Sequence, residues 1–244
     1  GLPEKELIRI AVKSMGLDEL APFKPEEKII EYMLKDKTGN PLVGMTLTGF
    51  ADETASESPA PGGGSVAAYV GALGISLGTM VANLSSHKKG WDDRWEEFSN
   101  WAEKGQQYKD ELLELVDEDT KAFTRIMNAM GLPKGTEGEK AVRKKAINAA
   151  TKYAIEIPFK VMQASYKSME VIMKMVEMGN PNSVTDAGVG ALCARTAVIG
   201  AFMNVRINAA GFDDKAFMEK LLNEGALIEE RARMLEEKIV QGVN

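Results

Sequence analysis

The sequence predicts an all-α fold in which long helices form an antiparallel bundle. No stretch of the 244 residues alternates apolar and polar side chains with the period of two that marks a strand. Apolar residues instead recur every three or four positions over long segments, and turn signals lie far apart. Long helices joined by short turns pack as antiparallel bundles. The composition, with 44% apolar and 27% charged residues, is that of a folded globular protein.

Residues 1–45 are expected to form a small helical segment that ends in a linker. One short helix is predicted over 3–16. A second begins at Pro25, and its apolar side is formed by Ile29, Ile30, Met33 and Leu34. The polar segment 35–44 contains the turn signal Thr38-Gly39-Asn40-Pro41 and indicates a linker. The main domain is therefore placed at 46–244.

The helices of the main domain are predicted from caps, turns and apolar periodicity. They are expected over 47–56, the uncharged stretch after Ser65, 91–130, 137–178, 183–210 and 214–241. Their N-terminal caps are assigned to the Thr136–Glu139 pair, the Ser183–Asp186 pair and Asp213. Pro158 should kink or split the fourth of these helices, because proline lacks an N–H and crowds the preceding turn.

Two of these helices carry almost no charge on any side. No charged residue occurs between Glu57 and His87, and the stretch 66–84 is long enough to cross a bilayer. Its polar and small residues, without an aromatic belt, favour a buried helix of a soluble bundle over a membrane span. A helix that is neutral all round must be surrounded by protein. Part of that cover is expected from a second subunit, so the sequence predicts a homodimer or a higher oligomer.

Several classes of function are excluded or made improbable by composition. The net charge is −6 with no long basic run, which argues against a nucleic-acid partner. One cysteine, Cys193, forms neither an internal disulfide nor a thiolate zinc site, and one histidine, His87, does not build a His-rich metal cage. The first segment is charged and lacks the apolar core of a secretory leader. A cytoplasmic location is therefore expected.

Asp119 is the most anomalous residue of the long helix. The apolar stripe of this helix is formed by Trp91, Trp95, Phe98, Tyr108, Leu112, Leu115, Ala122, Ile126 and Met130. Asp119 follows Leu115 by four positions and precedes Ala122 by three, so it lies on the stripe, while Asp117 and Glu118 are expected to be solvated. Burial raises the pKa of a carboxyl group and fits it for proton transfer near neutral pH. An ion pair across the core explains the position equally well.

A glycine turn, a pair of lysines and a pair of asparagines are further candidates for ligand-binding residues. The turn Gly62–Ser65 leads into a helix, where free N–H groups attract anions, although a plain loop with Ser65 as N-cap is the simpler reading. Lys88 and Lys89 offset a helix dipole or bind an anionic substrate.

Asn204 and Asn208 lie one helical turn apart on a neutral helix. Buried amides nearly always find hydrogen-bond partners, so each bonds within the core or to a ligand.

Several segments together resemble the cyclodeaminase domain of the formiminotransferase-cyclodeaminase family. They are Pro59–Ala68, Gly78–Val81, Val116–Phe123, Met130–Lys134, Ile157-Pro158, Gly179-Asn180 with Asp186, and Asn204–Asn208. The resemblance covers about residues 46–240, and the order and separations of the segments make it specific. Residues 21–32 look like the join from the formiminotransferase half, whose body is absent.

The resemblance implies an all-helical, dimer-forming lyase. It converts 5-formimidoyltetrahydrofolate to 5,10-methenyltetrahydrofolate and ammonia, and it requires no metal and no cofactor beyond the folate. The family's acid/base carboxylate corresponds to Asp119. The pterin pocket is expected to be shaped by Gly62, Gly63, Gly64, Ser65, Asp186, Asn204 and Asn208. Lys88 and Lys89 match a basic pair that would meet the glutamate tail.

Two other functions remain open from the sequence. A methenyltetrahydrofolate cyclohydrolase would have the same build and a similar site, although the transferase-like join over 1–34 favours the deaminase. A non-catalytic helical module that assembles with a partner enzyme, such as a separate formiminotransferase, is the second alternative.

Overall fold

The computed structural model confirms the all-α prediction. It describes residues 2, 4–19, 21–30, 32 and 42–243, and these residues form helices and turns with no β-strand. Pro3, Met33, Leu34 and most of the predicted linker, residues 35–41, lie outside the described residues.

The α-helices are numbered here in chain order. They are α1 (Glu4–Ser14), α2 (Pro25–Lys28), α3 (Leu47–Thr54), α4 (Gly63–Ser86), α5 (Trp95–Met130), α6 (Glu137–Met178), α7 (Val184–Ala209) and α8 (Lys215–Val243). Single 3₁₀ turns, Asp92–Arg94 and Pro181–Ser183, precede α5 and α7. The long helix therefore begins four residues later than the sequence predicts.

The N-termini of the helices confirm one predicted cap and correct two. The Thr136–Glu139 capping box is present, with both reciprocal hydrogen bonds. Ser183 precedes α7 without a side-chain hydrogen bond to it, so the predicted box with Asp186 is wrong. At α8 the cap is made by Asp214, whose Oδ1 accepts the N–H of Phe217 at 3.0 Å, rather than by Asp213.

Helix α4 lies at the centre of the bundle and contacts α5, α6 and α7. Helices α5 and α7 run antiparallel to α4, whereas α6 runs parallel to it. Cβ atoms built on Gly64 and Gly71 approach Asp119 and then Leu112 of α5, in descending order, whereas those on Gly71 and Gly78 approach Ser165 and then Ile172 of α6, in ascending order. Against α7 the backbones nearly touch, because a Cβ built on Gly74 would lie 2.8 Å from the carbonyl oxygen of Gly190. The small residues of these helices are thus used for close packing within one chain.

Ile30, on the predicted apolar side of the second helix, is 69% exposed. Burial of the predicted apolar stripe of α5 has two exceptions. Trp95 and Met130, assigned to the core stripe, are 57% and 50% exposed, because both lie at the ends of α5. The segments Gly63–Ser86 and Pro181–Ala209 are long and apolar enough to cross a membrane. Their most apolar windows are 61% and 50% buried within the structure, as is usual for core helices.

Candidate active site

A cavity of about 160 Å³ opens where α4 begins, between α5, α6 and α7. It brings together six of the predicted site residues, namely Gly62, Gly63, Gly64, Asp119, Asn204 and Asn208. Apolar side chains of α5 and the loop before α4 complete the wall. They belong to Pro59, Ala60, Ala122, Phe123 and Ile126. Polar groups from three elements therefore converge on one small space, as in a binding site.

The carboxylate of Asp119 is held by the first turn of α4. Its Oδ2 accepts hydrogen bonds from the backbone N–H of Ser65 at 2.9 Å and from the Ser65 hydroxyl at 3.0 Å. Ser65 is thus the third residue of α4 rather than its N-cap, which is Gly62. The first turn of α4 thus binds an anionic group of the protein itself, the Asp119 carboxylate, and its part in substrate binding stays a prediction.

Glycine at position 64 is required by this contact. A Cβ built there would lie 2.6 Å from Cγ of Asp119 and closer still to Oδ1. Gly62 is different, because a Cβ on it meets no atom of the described residues within 4 Å. The glycine run therefore allows α4 to approach α5 at one position, and only the last glycine is essential to it.

Burial and hydrogen bonding act on Asp119 in opposite directions. Burial disfavours the charged carboxylate and raises the pKa of Asp119, whereas the two bonds from Ser65 lower it; burial dominates, so the pKa is raised. No Lys or Arg pairs with Asp119 among the residues that the structure describes. The ion pair across the core, which the sequence left open, is therefore not found there.

Asn204 and Asn208 project from α7 into the cavity with their amide groups already engaged. The Nδ2 of Asn204 donates to the carbonyl of Gly200 at 2.9 Å, and that of Asn208 donates to the carbonyl of Ala154 at 2.7 Å. Both amides are therefore ordered by the backbone. Neither Oδ1 has a hydrogen-bond partner within the described part of the chain.

Thr120 is a polar wall residue that the sequence reasoning missed. Its Oγ1 lies 3.5 Å from the hydroxyl of Ser65, and the residue lines the cavity beside Asp119. The sequence could have indicated it, since positions 119, 120, 123 and 126 share one side of a helix. A threonine on that side is common in proteins, however, whereas the charged Asp119 is unusual there.

Lys88, Lys89 and Asp186 lie at the opposite end of the bundle. Helix α4 has 24 residues and is about 36 Å long at 1.5 Å per residue, and the lysines follow its far end. There Lys88 Nζ lies 3.9 Å from the centre of the Trp91 ring. Asp186 is in the first turn of α7, about 27 Å from Asn204 by the same helical rise. Within one chain these three do not share the cavity, and their part in binding stays a prediction.

Asp117 corrects the expectation that both neighbours of Asp119 are solvated. Its side chain is buried, 1% exposed, and accepts the backbone N–H groups of Leu42 at 2.9 Å and Val43 at 3.5 Å. Glu118 is half-buried and accepts a hydrogen bond from the hydroxyl of Tyr153. Among the described residues no group of three His, Cys, Asp or Glu side chains could hold a metal ion.

Comparison with known proteins places this arrangement in a family. Residues 46–226 match the family model described as formiminotransferase-cyclodeaminase, and residues 1–35 match the formiminotransferase domain. The formimidoyltransferase-cyclodeaminase of Mus musculus is 35% identical over 220 residues, which are 90% of this chain but 41% of that protein. The chain thus spans about two fifths of the length of such relatives.

Two shorter proteins match over nearly their whole length. The methenyltetrahydrofolate cyclohydrolase of Methylorubrum extorquens is 36% identical over 198 residues, 81% of this chain and 95% of that protein. The crystal structure of formiminotetrahydrofolate cyclodeaminase from Thermotoga maritima superposes with a TM-score of 0.71 and 28% identity, covering 83% of this chain and 98% of that one. The helical domain, with its cavity at Asp119, therefore belongs to the formiminotransferase-cyclodeaminase family.

Proposed function

We propose that this chain is a formimidoyltetrahydrofolate cyclodeaminase, which converts 5-formimidoyltetrahydrofolate to 5,10-methenyltetrahydrofolate and ammonia. The observation that carries the proposal is Asp119, a carboxyl group with a raised pKa and no cationic partner in the described chain, set in the wall of a cavity. A structural carboxylate in a core is usually neutralised by a cation or by several backbone donors. A group left able to gain and lose a proton beside an open space suits proton transfer.

The chemistry requires one proton to move between two nitrogens. N10 of the folate attacks the carbon of the protonated formimidoyl group, which forms the N10–C bond and a tetrahedral intermediate. Asp119, as the carboxylate, takes the proton from N10 and delivers it to the exocyclic nitrogen. The C–N bond then breaks, ammonia leaves, and the positive charge remains on the methenyl bridge. Protons and charge balance without a metal or redox group, and we propose that no cofactor beyond the folate takes part.

A methenyltetrahydrofolate cyclohydrolase is the second candidate. It is favoured by one observation, the 36% identity to a relative with that name of which the chain covers 95%. The same cavity would serve, with Asp119 taking one proton from a water molecule as it attacks the methenyl carbon. The bond from this carbon to N5 would then break, the remaining hydroxyl proton would pass to N5, and the 10-formyl product would form.

One assay separates the two candidates. The purified chain is given 5-formimidoyltetrahydrofolate, and methenyltetrahydrofolate absorbance is followed together with ammonia release. The proposal expects both products in equal amounts, faster than in the enzyme-free control. Hydrolysis of added methenyltetrahydrofolate with no ammonia release from the formimidoyl substrate would instead identify the cyclohydrolase. A folded chain inactive on both substrates would favour the non-catalytic module.

We further propose that the chain acts in the cytoplasm as a homodimer. The outer faces of α4 and α7 expose large apolar side chains that no described element covers, and these include Leu73, Met80, Leu84, Val189, Leu192, Met203 and Ile207. The glycines Gly71, Gly74, Gly78 and Gly190 of these helices pack against other helices of the same chain, so a second subunit would contact the large apolar side chains instead. A cavity of about 160 Å³ is also smaller than typical pockets of about 300–1,000 Å³, so a folate would extend beyond it toward a neighbouring surface.

The dimer is tested by light scattering. We expect a mass twice that of the 26.5 kDa chain. Leu192→Glu on α7 should halve this mass, whereas Leu227→Glu, at an exposed position of α8, should leave it unchanged. A monomeric unmodified chain would refute the proposal. The match of residues 1–35 to a formiminotransferase domain supports a transferase as a further partner.

A further inference from the structure

Pro158 lies in the interior of α6, which continues unbroken through it. The sequence predicts a kinked or split helix there, so the absence of a break needs a physical reason. In an α-helix the carbonyl of Ala154 would accept the N–H of residue 158, but proline has no N–H to donate. The Ala154 carbonyl is therefore left without its helical donor, at a position that lines the cavity.

Asn208 of α7 supplies the missing donor. Its Nδ2 lies 2.7 Å from the carbonyl oxygen of Ala154. A carbonyl oxygen only accepts hydrogen bonds, so the nitrogen of the amide, and not its oxygen, must face it. The proline thus favours this orientation of the Asn208 side chain, because the Ala154 carbonyl lacks its helical donor and would be left unpaired if the amide oxygen faced it.

Asn204, the second amide of the cavity, also points its nitrogen at a backbone carbonyl. Nδ2 of Asn204 donates to the Gly200 carbonyl, so Oδ1 of each asparagine is left without a partner among the described residues. Asp119, which accepts through Oδ2 from Ser65, adds its second oxygen. Side chains of the cavity wall therefore offer oxygen acceptors, and a ligand group that donates hydrogen bonds fits them best.

We propose that Pro158 is a positioning residue that fixes Asn208 as an acceptor, and that the cavity thereby selects the hydrogen-bond-donating amidine of the substrate over its formyl analogue. The inference rests on the proposed function, since the amidine is the reacting group of that substrate. A protonated formimidoyl group carries N–H donors. A formyl group places a carbonyl oxygen at the same point, where it would face other acceptors and leave them unpaired.

The test compares affinities, so it does not depend on turnover. Dissociation constants of 5-formimidoyl- and 5-formyltetrahydrofolate are measured by calorimetry in the Asp119→Asn background, in which the amidine is to be held without conversion. We expect the amidine to bind about tenfold more tightly or better, the ratio that corresponds to one well-formed hydrogen bond. Equal affinity for the two folates would overturn the inference.

Pro158→Ala is the decisive variant. It restores the N–H to α6, so the Ala154 carbonyl is satisfied without Asn208 and the orientation of that amide is held less strongly. The affinity ratio should therefore fall by about threefold or more. Its melting temperature should stay equal or rise, because alanine is the better helix former. A purely structural role would not change the ratio between two folates, and an unchanged ratio would contradict the proposal.

A double-mutant cycle tests whether Pro158 acts through Asn208. In the Asn208→Leu background, Pro158→Ala should have no further effect on the ratio, since the amide that it orients is gone. Asn148→Leu is the matched control and should leave the ratio unchanged. Asn148 is an asparagine of α6 that lies outside the cavity, where its Nδ2 donates to Asp213 at 3.3 Å. Independent, additive effects of Pro158→Ala and Asn208→Leu would refute the positioning role. If the wild-type chain fails to release ammonia, the proposed function fails while these ratios still decide the inference.

Discussion

Asp117 and Asp119 lie two residues apart on α5, but one carboxylate is enclosed by protein and the other faces a cavity. Both accept a backbone N–H from the start of another segment at 2.9 Å, Asp117 from Leu42 and Asp119 from Ser65. Asp117 is enclosed by protein, with only 1% of its surface exposed. Asp119 has protein on one side and the cavity on the other.

The difference shows that a buried carboxylate is not a site by itself. Two residues correspond to a rotation of about 200° around a helix, so the two side chains leave α5 on opposite sides. On one side Asp117 accepts hydrogen bonds from Leu42 and Val43 and so fixes the segment that leads into the domain. On the other side Asp119 keeps access to a space where a substrate can bind. Three variants test whether the two aspartates have these different roles.

Of these three variants, Gly64→Ala should have the largest effect. The new Cβ would overlap the carboxylate of Asp119 and force it or α4 to move. A displacement of about 1 Å in a catalytic group costs about 100-fold in rate, and overpacking costs about 1–3 kcal/mol of stability. Gly62→Ala is the matched control, because its Cβ meets no atom of the described residues within 4 Å. Steady-state kinetics with equal losses in both variants would show that Gly64 has no special relation to Asp119.

Asp117→Asn should reduce stability rather than chemistry. The asparagine still accepts one N–H but buries an amide group that lacks an acceptor, so we expect a loss of about 1–3 kcal/mol in the free energy of unfolding. Urea denaturation measures the loss, and kcat should remain within about threefold of wild type. Asp110→Asn, on the exposed side of α5 with 62% of its side chain accessible, should change neither. Loss of kcat without loss of stability would reverse the roles assigned to the two aspartates.

Ser65→Ala should have the smallest effect, a shift in pH dependence. The Ser65 hydroxyl lowers the pKa of Asp119 against the effect of burial, so its removal leaves the pKa of Asp119 higher. If the carboxylate is the required base, the acidic limb of kcat/KM should move to higher pH and the plateau should be retained. Ser168→Ala, whose buried hydroxyl bonds its own helix, should leave the limb in place. A shift toward lower pH would contradict this electrostatic account.

Most of the fold could be predicted because helices follow from local periodicity. The helix bounds, the Thr136–Glu139 capping box and the position of Asp119 on a core-facing stripe all depend on residues close together in the chain. Asn204 and Asn208 were found in the same way, from their spacing on a neutral helix.

The partners of these residues could not be predicted, because they are distant in sequence. Nothing local to Asp117 indicates that the N–H of Leu42, 75 residues away, needs an acceptor there. Nor does the glycine turn show that its anion is Asp119 rather than a ligand, since that depends on how α4 packs on α5. Lys88, Lys89 and Asp186 were grouped with the turn by resemblance, and the length of α4 separates them from it.

The central claim is that Asp119 moves the proton in the cavity, and the most direct measurement is single-turnover ammonia release by the wild type and by Asp119→Asn. The rate in the variant should be lower by about 100- to 10,000-fold, the usual contribution of a general acid/base. Burial raises the pKa of Asp119, so ionisation of this carboxyl group lowers the free energy of unfolding. Asparagine removes this effect, and the melting temperature of the variant at pH 7 should therefore be unchanged or higher. A folded variant that releases ammonia at the wild-type rate would contradict the account.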